Sequence, residues 1–508
     1  MKENNESGEI TSLVKSFEKL SGLSGVDHSV KQGSTGSTLI IYVAEPSERF
    51  FRFAEEVSAD LRGDDVSVVT IKKRNPSNRL QSPEAKYFLK VLSESLNINR
   101  FSFEDDFFSR YTRSVSNAEE QVINLANHIV YGRRGAGKSS LLLYAMRTRQ
   151  SERLPSTWID MQVFEKRSDN KVIVDILLEI FRQLNDQFES TGPLYSDVLR
   201  SLERYKHQDT VEEKQLRLLL PDIKRVFALI KPNFFVFLDD FHVLDFETQP
   251  KVLAYLYSAM RGNNAYLKIS AIETLTKSWD AHEHSGLQVP HDAQTIKLDY
   301  NLTMPDKAAV HIEGILDAHA QYCGLPSLRF LYNSPDVLNR LIWVSAGVPR
   351  DAISMFAQAM TKGSVANRSR VSVTDVNLAA SDMVSQKMRD LEVDVAAAEE
   401  EGSLSEVLEH VRDFCVKRER KNAFLVEIKN QDKLYQCVLK LIDLRLVHVI
   451  SEGITVGQAG RKYLALLLDY GFYTGVRAAQ SVDLFNEHTD KVARATLRRL
   501  PILPHMPA

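Results

Sequence analysis

HIVYGRRGAGKSSLLLYAM, residues 128–146, decides the reading of this chain. Four strand-forming residues, His128 to Tyr131, break into a glycine- and arginine-rich loop that opens a helix of small and leucine residues. Gly132-Arg133-Arg134-Gly135-Ala136-Gly137-Lys138-Ser139 satisfies G-x-x-x-x-G-K-[ST] without a mismatch, in the strand–loop–helix context this pattern requires. Each residue type has a physical task. Glycines let the backbone curl until its N–H groups point inward at phosphate oxygens. The helix starting near Lys138 adds the positive end of its dipole. Lys138 offers a point charge to the β- and γ-phosphates, and the Ser139 hydroxyl is a Mg²⁺ ligand. Arg133 and Arg134 fill variable positions. Together with Ser140, the whole loop 132–139 is the candidate nucleotide-binding segment.

Such a loop needs a carboxylate at the end of a neighbouring strand to hold magnesium. FFVFLDD, residues 234–240, supplies one about a hundred residues downstream: five apolar residues, then Asp239 and Asp240. A charge pair at the end of a buried strand is costly unless it faces a cation or a cleft. Asp239 is the magnesium candidate, and Asp240 is placed to polarise an attacking water. ATP and Mg²⁺ are the expected cofactors.

Outward from this pair, the stretch 128–300 alternates strand and helix, which predicts a mostly parallel sheet. Its strands are NHIVYG, STWIDMQ, NFFVFLDD, AYLKISAI and QTIKLD, near-continuously apolar as suits strands covered on both faces. The expected organisation is a flexible tail (1–37), a small N-terminal α/β unit (38–100), the P-loop core (101–302) and a helical lid (303–390). A linker (391–403), a winged-helix domain (404–480) and a C-terminal tail (481–508) follow. The small unit, with TLIIYVAEP and VSVVTIKK as strands around one helix, is expected to pack on its neighbour or dock a partner.

The 508 residues are 44% hydrophobic and 26% charged, an ordinary soluble composition, with a formal net charge of −3. No whole-protein positive field marks nucleic acid, so any DNA contact must come from a local patch. Cys323, Cys415 and Cys437 lie far apart without metal spacing and read as reduced core thiols of a cytoplasmic protein. The polar, acidic start is not a signal peptide, and no apolar run approaches the roughly 20 residues that span a bilayer.

The motifs resemble the AAA+ ATPases, and within them the origin-recognition and replication-initiator ATPases, over about residues 105–475. That resemblance implies ATP hydrolysis and further site residues. The family usually has glutamate where this chain has Asp240, one methylene shorter, so slow turnover is expected. A double aspartate is also similar to the STAND class of signalling ATPases, which work as slow switches. Glu273 or Thr274, in LKISAIETLTKSW, falls at the family's first sensor, without the usual asparagine. VSAGVPRDAISMF (344–356) resembles the second sensor, with Arg350 stabilising charge on the γ-phosphate. Arg261 is the candidate arginine for a neighbouring subunit's site, and Arg110 and Tyr111 fall where the family packs around adenine. VSVTDVNLAASDMV (371–384) resembles the last lid helix, with Thr374 or Asp375 near its N-cap.

At the C-terminus a helix is followed by a two-strand wing, placed as in initiator ATPases. The reading takes residues 432–445 as recognition helix, SEG (451–453) as wing tip, ITVGQ as the return strand and AGRKYLALLLDYGFYTG as a closing helix. Lys417, Arg418, Arg420, Lys421, Lys429, Lys433, Lys440 and Arg445 give this unit a basic tendency. Three functional expectations follow. One is an ATPase that couples nucleotide state to double-stranded DNA or to assembly with partner proteins. The second is a STAND-like switch acting mainly through protein partners. The third is a chain that binds nucleotide only as structural glue, without turnover.

Overall fold

Residues 1–37, expected as a flexible tail, carry α1 (Lys2–Ser21) and β1 (His28–Gly33). Their polar composition hides a short apolar seam: Leu13, Val14 and Phe17 sit on one helical face and are buried. The computed structural model describes residues 2–33, 36–59, 66–101, 103, 105–165, 167, 170–187, 192–298, 302, 304–395, 402–429, 432–456, 461–474, 482–485 and 493–506. Two units result, Met1–Asn97 with Tyr300–Ala508, and Ile98–Asp299. In the first, β1 pairs antiparallel with β2 (Gly36–Val43), and β2 pairs parallel with β3 (Val66–Lys73) across α2 (Glu48–Ala59). α3 (Pro83–Glu94) is capped by Ser82, whose Oγ accepts from the Ala85 N–H at 3.2 Å.

The second unit begins with the short helices α4 (Asp105–Arg110) and α5 (Ala118–Val122). β4 (His128–Tyr131), α6 (Lys138–Ser151), β5 (Ser156–Asp160), α7 (Lys171–Asn185), α8 (Pro193–Lys206) and α9 (Glu213–Leu229) follow. β6 (Phe234–Asp239), α10 (Thr248–Met260), β7 (Ala265–Ala271), a two-residue hairpin of β8 (Trp279–Asp280) and β9 (Ser285–Gly286), and β10 (Gln294–Lys297) complete it. All five expected strands form one parallel sheet in the order β10-β4-β7-β6-β5. Alternate residues of β6 feed opposite faces. Phe234, Val236 and Leu238 join the cluster of α7 and α9, whereas Phe235 and Phe237 join that of α6. Covering both faces is what removes polar alternation from these strands.

In the first unit the chain continues through α11 (Pro305–Tyr322), α12 (Pro335–Val344), α13 (Pro349–Val365) and α14 (Val373–Val395), the expected lid. Asp375 sits in the first turn of α14, and its Oδ2 accepts from the Ser372 N–H at 2.9 Å. The N-terminal α/β residues pack on these helices. Ala85, Phe88, Val91 and Leu92 of α3 share a core with Leu316 and Phe356. Arg49 donates to the Tyr322 carbonyl at 2.9 Å and lies 4.0 Å from the centre of its ring. Of the expected linker 391–403, residues through Val395 belong to α14 and 396–401 lie outside the described residues.

α15 (Gly402–Asp413), β11 (Ala423–Glu427), α16 (Lys433–Asp443), β12 (Val447–Ile454) and β13 (Tyr463–Leu468) form the winged-helix arrangement, with sheet order β11-β13-β12. Three details depart from expectation. SEG is not the wing tip but part of β12, where Gly453 (φ 68°) and two register irregularities bend the strand. YLALLL is a strand rather than a helix: all six residues are buried at the centre of the sheet, so no alternation marks them. The C-terminal segment is also no tail where it is described. The Leu425 N–H donates to the Pro501 carbonyl and the Leu503 N–H to the Leu425 carbonyl, both at 2.8 Å, which covers the free edge of β11.

A buried ionic network ties lid to wing. Lys387 of α14 donates to Asp469 Oδ2 at 2.9 Å, and His448 Nε2 donates to the same oxygen at 3.0 Å. Arg445, counted above among the basic residues for DNA, is ion-paired with Asp351 of α13. All three cysteines are buried, and none is in a disulfide. Among the described residues no helix is long and apolar enough to cross a membrane.

Candidate functional site

The loop after β4 takes its shape from its glycines. Gly135 and Gly137 have φ of 82° and 93°, a region costly for any residue with a Cβ. Gly137 is also the N-cap of α6 and provides no side-chain cap, so the first-turn N–H groups of this 14-residue helix face the loop. Lys138 is buried, and its ammonium donates to the Arg133 carbonyl at 3.2 Å, closing the loop on itself. The Gly132 N–H donates to the Ala271 carbonyl at 3.4 Å, anchoring the loop's start to β7. Arg134 is exposed, and Ala136 and Ser140 are half-buried.

Parallel pairing sets β5 Asp160 beside β6 Asp239, with β7 between β6 and the loop-bearing β4. That places Ser139 and Asp239 together: the hydroxyl donates to Asp239 Oδ1 at 3.0 Å across 100 residues of sequence. Asp239 Oδ1 accepts a second hydroxyl, that of Ser270, at 2.5 Å. Burial, and then the neighbouring charge of Asp240, push the Asp239 carboxyl up to about 6, against the pull of both hydroxyls and Lys138. A half-buried carboxylate hydrogen-bonded by two hydroxyls and facing another carboxylate is a hard-oxygen donor. With Ser139 this donor set fits Mg²⁺, which keeps few protein ligands and takes the rest from water and phosphate. Among the described residues no group of three or more His, Cys, Asp or Glu side chains could hold a metal by itself.

Asp240 adopts a left-handed backbone (φ 55°), which Asp tolerates better than most residues. Its N–H donates to Ser270 Oγ at 2.8 Å, and its Oδ2 accepts from Gln162 Nε2 at 2.8 Å. Gln162 belongs to the turn after β5, fixed by Asp160, whose Oδ1 accepts the Gln162 N–H at 3.0 Å. His242, two residues beyond Asp240, is buried. Burial pushes it down to about 4, Lys138 and Arg134 push the same way, and Asp240 opposes them.

Ser270, Gln162 and His242 escaped the sequence reading. A periodic apolar strand and a short turn carry no mark of which neighbour they meet. Thr274 is exposed in the turn after β7, and the adjacent Glu273 is paired with Lys297 at 2.8 Å; the β7 residue that touches the aspartates is Ser270. Arg261 is exposed at the end of α10, its guanidinium 5.7 Å from the centre of the Tyr257 ring. Arg350 is exposed in the first turn of α13, in the other unit. Tyr111 stacks on Tyr144 of α6 at 4.7 Å and donates to Glu119 at 2.7 Å, while Arg110 lies over Phe107. These two serve an aromatic joint against the phosphate-loop helix.

On the winged helix, Lys433, Gln436 and Lys440 are exposed at helical spacing on one stripe of α16. Two other basic residues are spent locally, Lys417 on Asp413 at 2.8 Å and Lys429 on Glu427 at 2.9 Å.

A glycine-rich loop after the first core strand, paired aspartates ending the third, a helical segment and a winged helix define the fold class as an α/β P-loop core with accessory domains. No protein-family model matches the sequence, and no curated protein matches it. Among solved structures the chain is similar to the ORC1 protein of Aeropyrum pernix in complex with DNA, at 13% identity over 73% of this chain and 93% of that one (TM-score 0.40). It is also similar to Drosophila ORC bound to DNA, at 14% identity over 84% and 96% (TM-score 0.39). A Walker-type ATPase of Pyrococcus abyssi matches at 13% identity over 76% and 99% (TM-score 0.41).

Proposed function

We propose that this chain binds ATP with Mg²⁺ in the loop 132–140, hydrolyses it slowly, and couples the nucleotide state to contact with double-stranded DNA. One observation carries the reading: Ser139 Oγ and Asp239 Oδ1 meet at 3.0 Å beside a helix N-terminus framed by left-handed glycines. In the bound state Ser139 and Asp239 would hold Mg²⁺, which supplies neutralising charge to the phosphates. Lys138, buried at the loop, adds a fixed positive charge for the β- and γ-phosphates. Asp240 orients the attacking water and accepts its proton, from a carboxylate that Gln162 holds in place. The stripe of Lys433, Gln436 and Lys440 is the face of α16 offered to a DNA groove and its phosphates.

The alternative of a slow switch working through protein partners is favoured by the Gln162–Asp240 hydrogen bond and by the engagement of Lys417, Lys429 and Arg445 with carboxylates of this chain. Turnover of the purified protein with and without duplex DNA separates the two, beside Lys138→Ala and Asp240→Ala. DNA-stimulated turnover lost in both variants supports the first reading. Slow turnover indifferent to DNA supports the second, and absence of nucleotide binding in the native chain ends both.

A further inference from the structure

We propose that Ser270 is a positioning residue of this site, its hydroxyl setting both aspartates at the end of β6; this rests on the nucleotide reading above. β7 stands between the strand that feeds the phosphate loop and the strand that feeds the aspartates. The β6–β7 ladder runs from Phe234↔Ala265 to Leu238↔Ile269, so Asp239 and Ser270 are the next residues on their strands. Just there the chain turns left-handed at Asp240, and its N–H loses a ladder acceptor.

Ser270 Oγ replaces that acceptor at 2.8 Å and gives its own proton to Asp239 Oδ1 at 2.5 Å. Ser270 itself is fully buried, so water can reach these bonds only from the aspartate side. Packing asks only for a small side chain at this place, as at Ala265 and Ala271 on the same strand. The hydroxyl answers to the aspartates.

The two hydroxyls on Asp239 Oδ1 differ in consequence. Ser139 belongs to the phosphate-loop helix, and its oxygen is the one a cation would claim. Ser270 belongs to the sheet and stays with Asp239 whether or not nucleotide is present. Ser270 therefore orients the carboxylate toward the cation and, through the Asp240 N–H, holds the turn that brings the Asp240 carboxylate to Gln162.

The test uses the full chain as native protein, Ser270→Ala and Ser270→Thr. Equilibrium affinity for a fluorescent ATP analogue is measured in EDTA and across a Mg²⁺ titration, with turnover alongside. Loss of a hydrogen bond to a buried carboxylate predicts a Mg²⁺ half-saturation raised about tenfold or more in Ser270→Ala, with a matching fall in kcat. Affinity in EDTA stays within twofold of native, and Ser270→Thr, which keeps the hydroxyl, recovers most of the Mg²⁺ effect. Equal loss of affinity with and without Mg²⁺ would mean a merely structural role and overturn the proposal. So would Mg²⁺ half-saturation within twofold of native. A native chain that binds no nucleotide defeats the underlying reading instead, and Lys138→Ala run in parallel shows which has failed.

Discussion

Asp239 and Asp469 are both carboxylates at strand ends, one in each unit, the first half-buried and the second fully buried, and they are held in opposite ways. Asp239 ends β6 with two hydroxyls on one oxygen and a second carboxylate beside it, and burial lifts it to about 6. Asp469 follows β13. Burial pushes it up too, but the Lys387 charge, the His448 hydrogen bond and the Gly471 N–H at 2.8 Å outweigh burial and hold it well below the usual carboxylate range. A carboxylate whose compensation is complete inside the fold is an architectural part. One hydrogen-bonded by hydroxyls, with a second carboxylate beside it and Lys138 acting only through its charge, keeps a raised affinity for protons or other positive charge.

The comparison breaks most severely at Asp469. Asp469→Ala strands the Lys387 ammonium, only 10% exposed at its side chain, and is expected to cost about 3–5 kcal/mol in urea unfolding. Asp239→Asn should lose no stability at pH 7, while Mg²⁺-dependent nucleotide affinity falls about 100-fold, roughly 2.7 kcal/mol. Retained Mg²⁺ dependence in that variant would remove Asp239 from the site.

The two aspartates also predict opposite pH trends. Asp239 has its folded value raised from 3.8 to about 6, so the folded state binds more protons in that window and stability contributed by this group falls as pH rises through it. Asp469, lowered, contributes stability that is present above its unfolded value and lost as pH falls below about 4. Unfolding of native protein, Asp239→Asn and Asp469→Ala between about pH 2 and 7 reads the two slopes separately.

A third buried charge sharpens the rule. Lys268 of β7 is fully buried, donates to the Asn124 and Ala126 carbonyls at 2.6 and 2.7 Å, and among the described residues has no carboxylate hydrogen-bond partner; burial, helped by the charge of Arg149, pushes it down to about 6. The unfolded state then holds the extra proton, so stability should rise as pH climbs from about 6 toward the ordinary lysine value of 10.5. Lys268→Met should flatten that rise, and an unchanged slope would assign it elsewhere. The smallest expected effect is at Gln162. Its amide holds the Asp240 carboxylate in place at 2.8 Å, so Gln162→Ala should lower turnover a few-fold while leaving nucleotide affinity unchanged.

Much of this was legible. The five core strands stood out because sheets covered on both faces leave unbroken apolar runs between helices. The same property misled at YLALLL, where an apolar run without alternation passes equally for a buried helix. The polar composition of residues 1–37 outweighed the three-residue seam of α1, and the strand-like C-terminal segment has no sheet signal apart from the β11 edge it covers. In the site, the loop and both aspartates announced themselves, whereas Ser270, Gln162 and His242 did not.

By itself the sequence determined the phosphate loop, its helix and the aspartate-ended strand, because glycine freedom, helix initiation and strand burial are encoded within a few neighbouring residues. Only the tertiary structure decided which groups meet there. Ser139 reaches Asp239 across 100 residues and Ser270 reaches it across 31, and both depend on strand order and parallel register, which no local pattern specifies. The same holds for Asp469, whose neutralising lysine lies 82 residues away on a helix of the lid: a charge is paid for by whatever packing brings beside it.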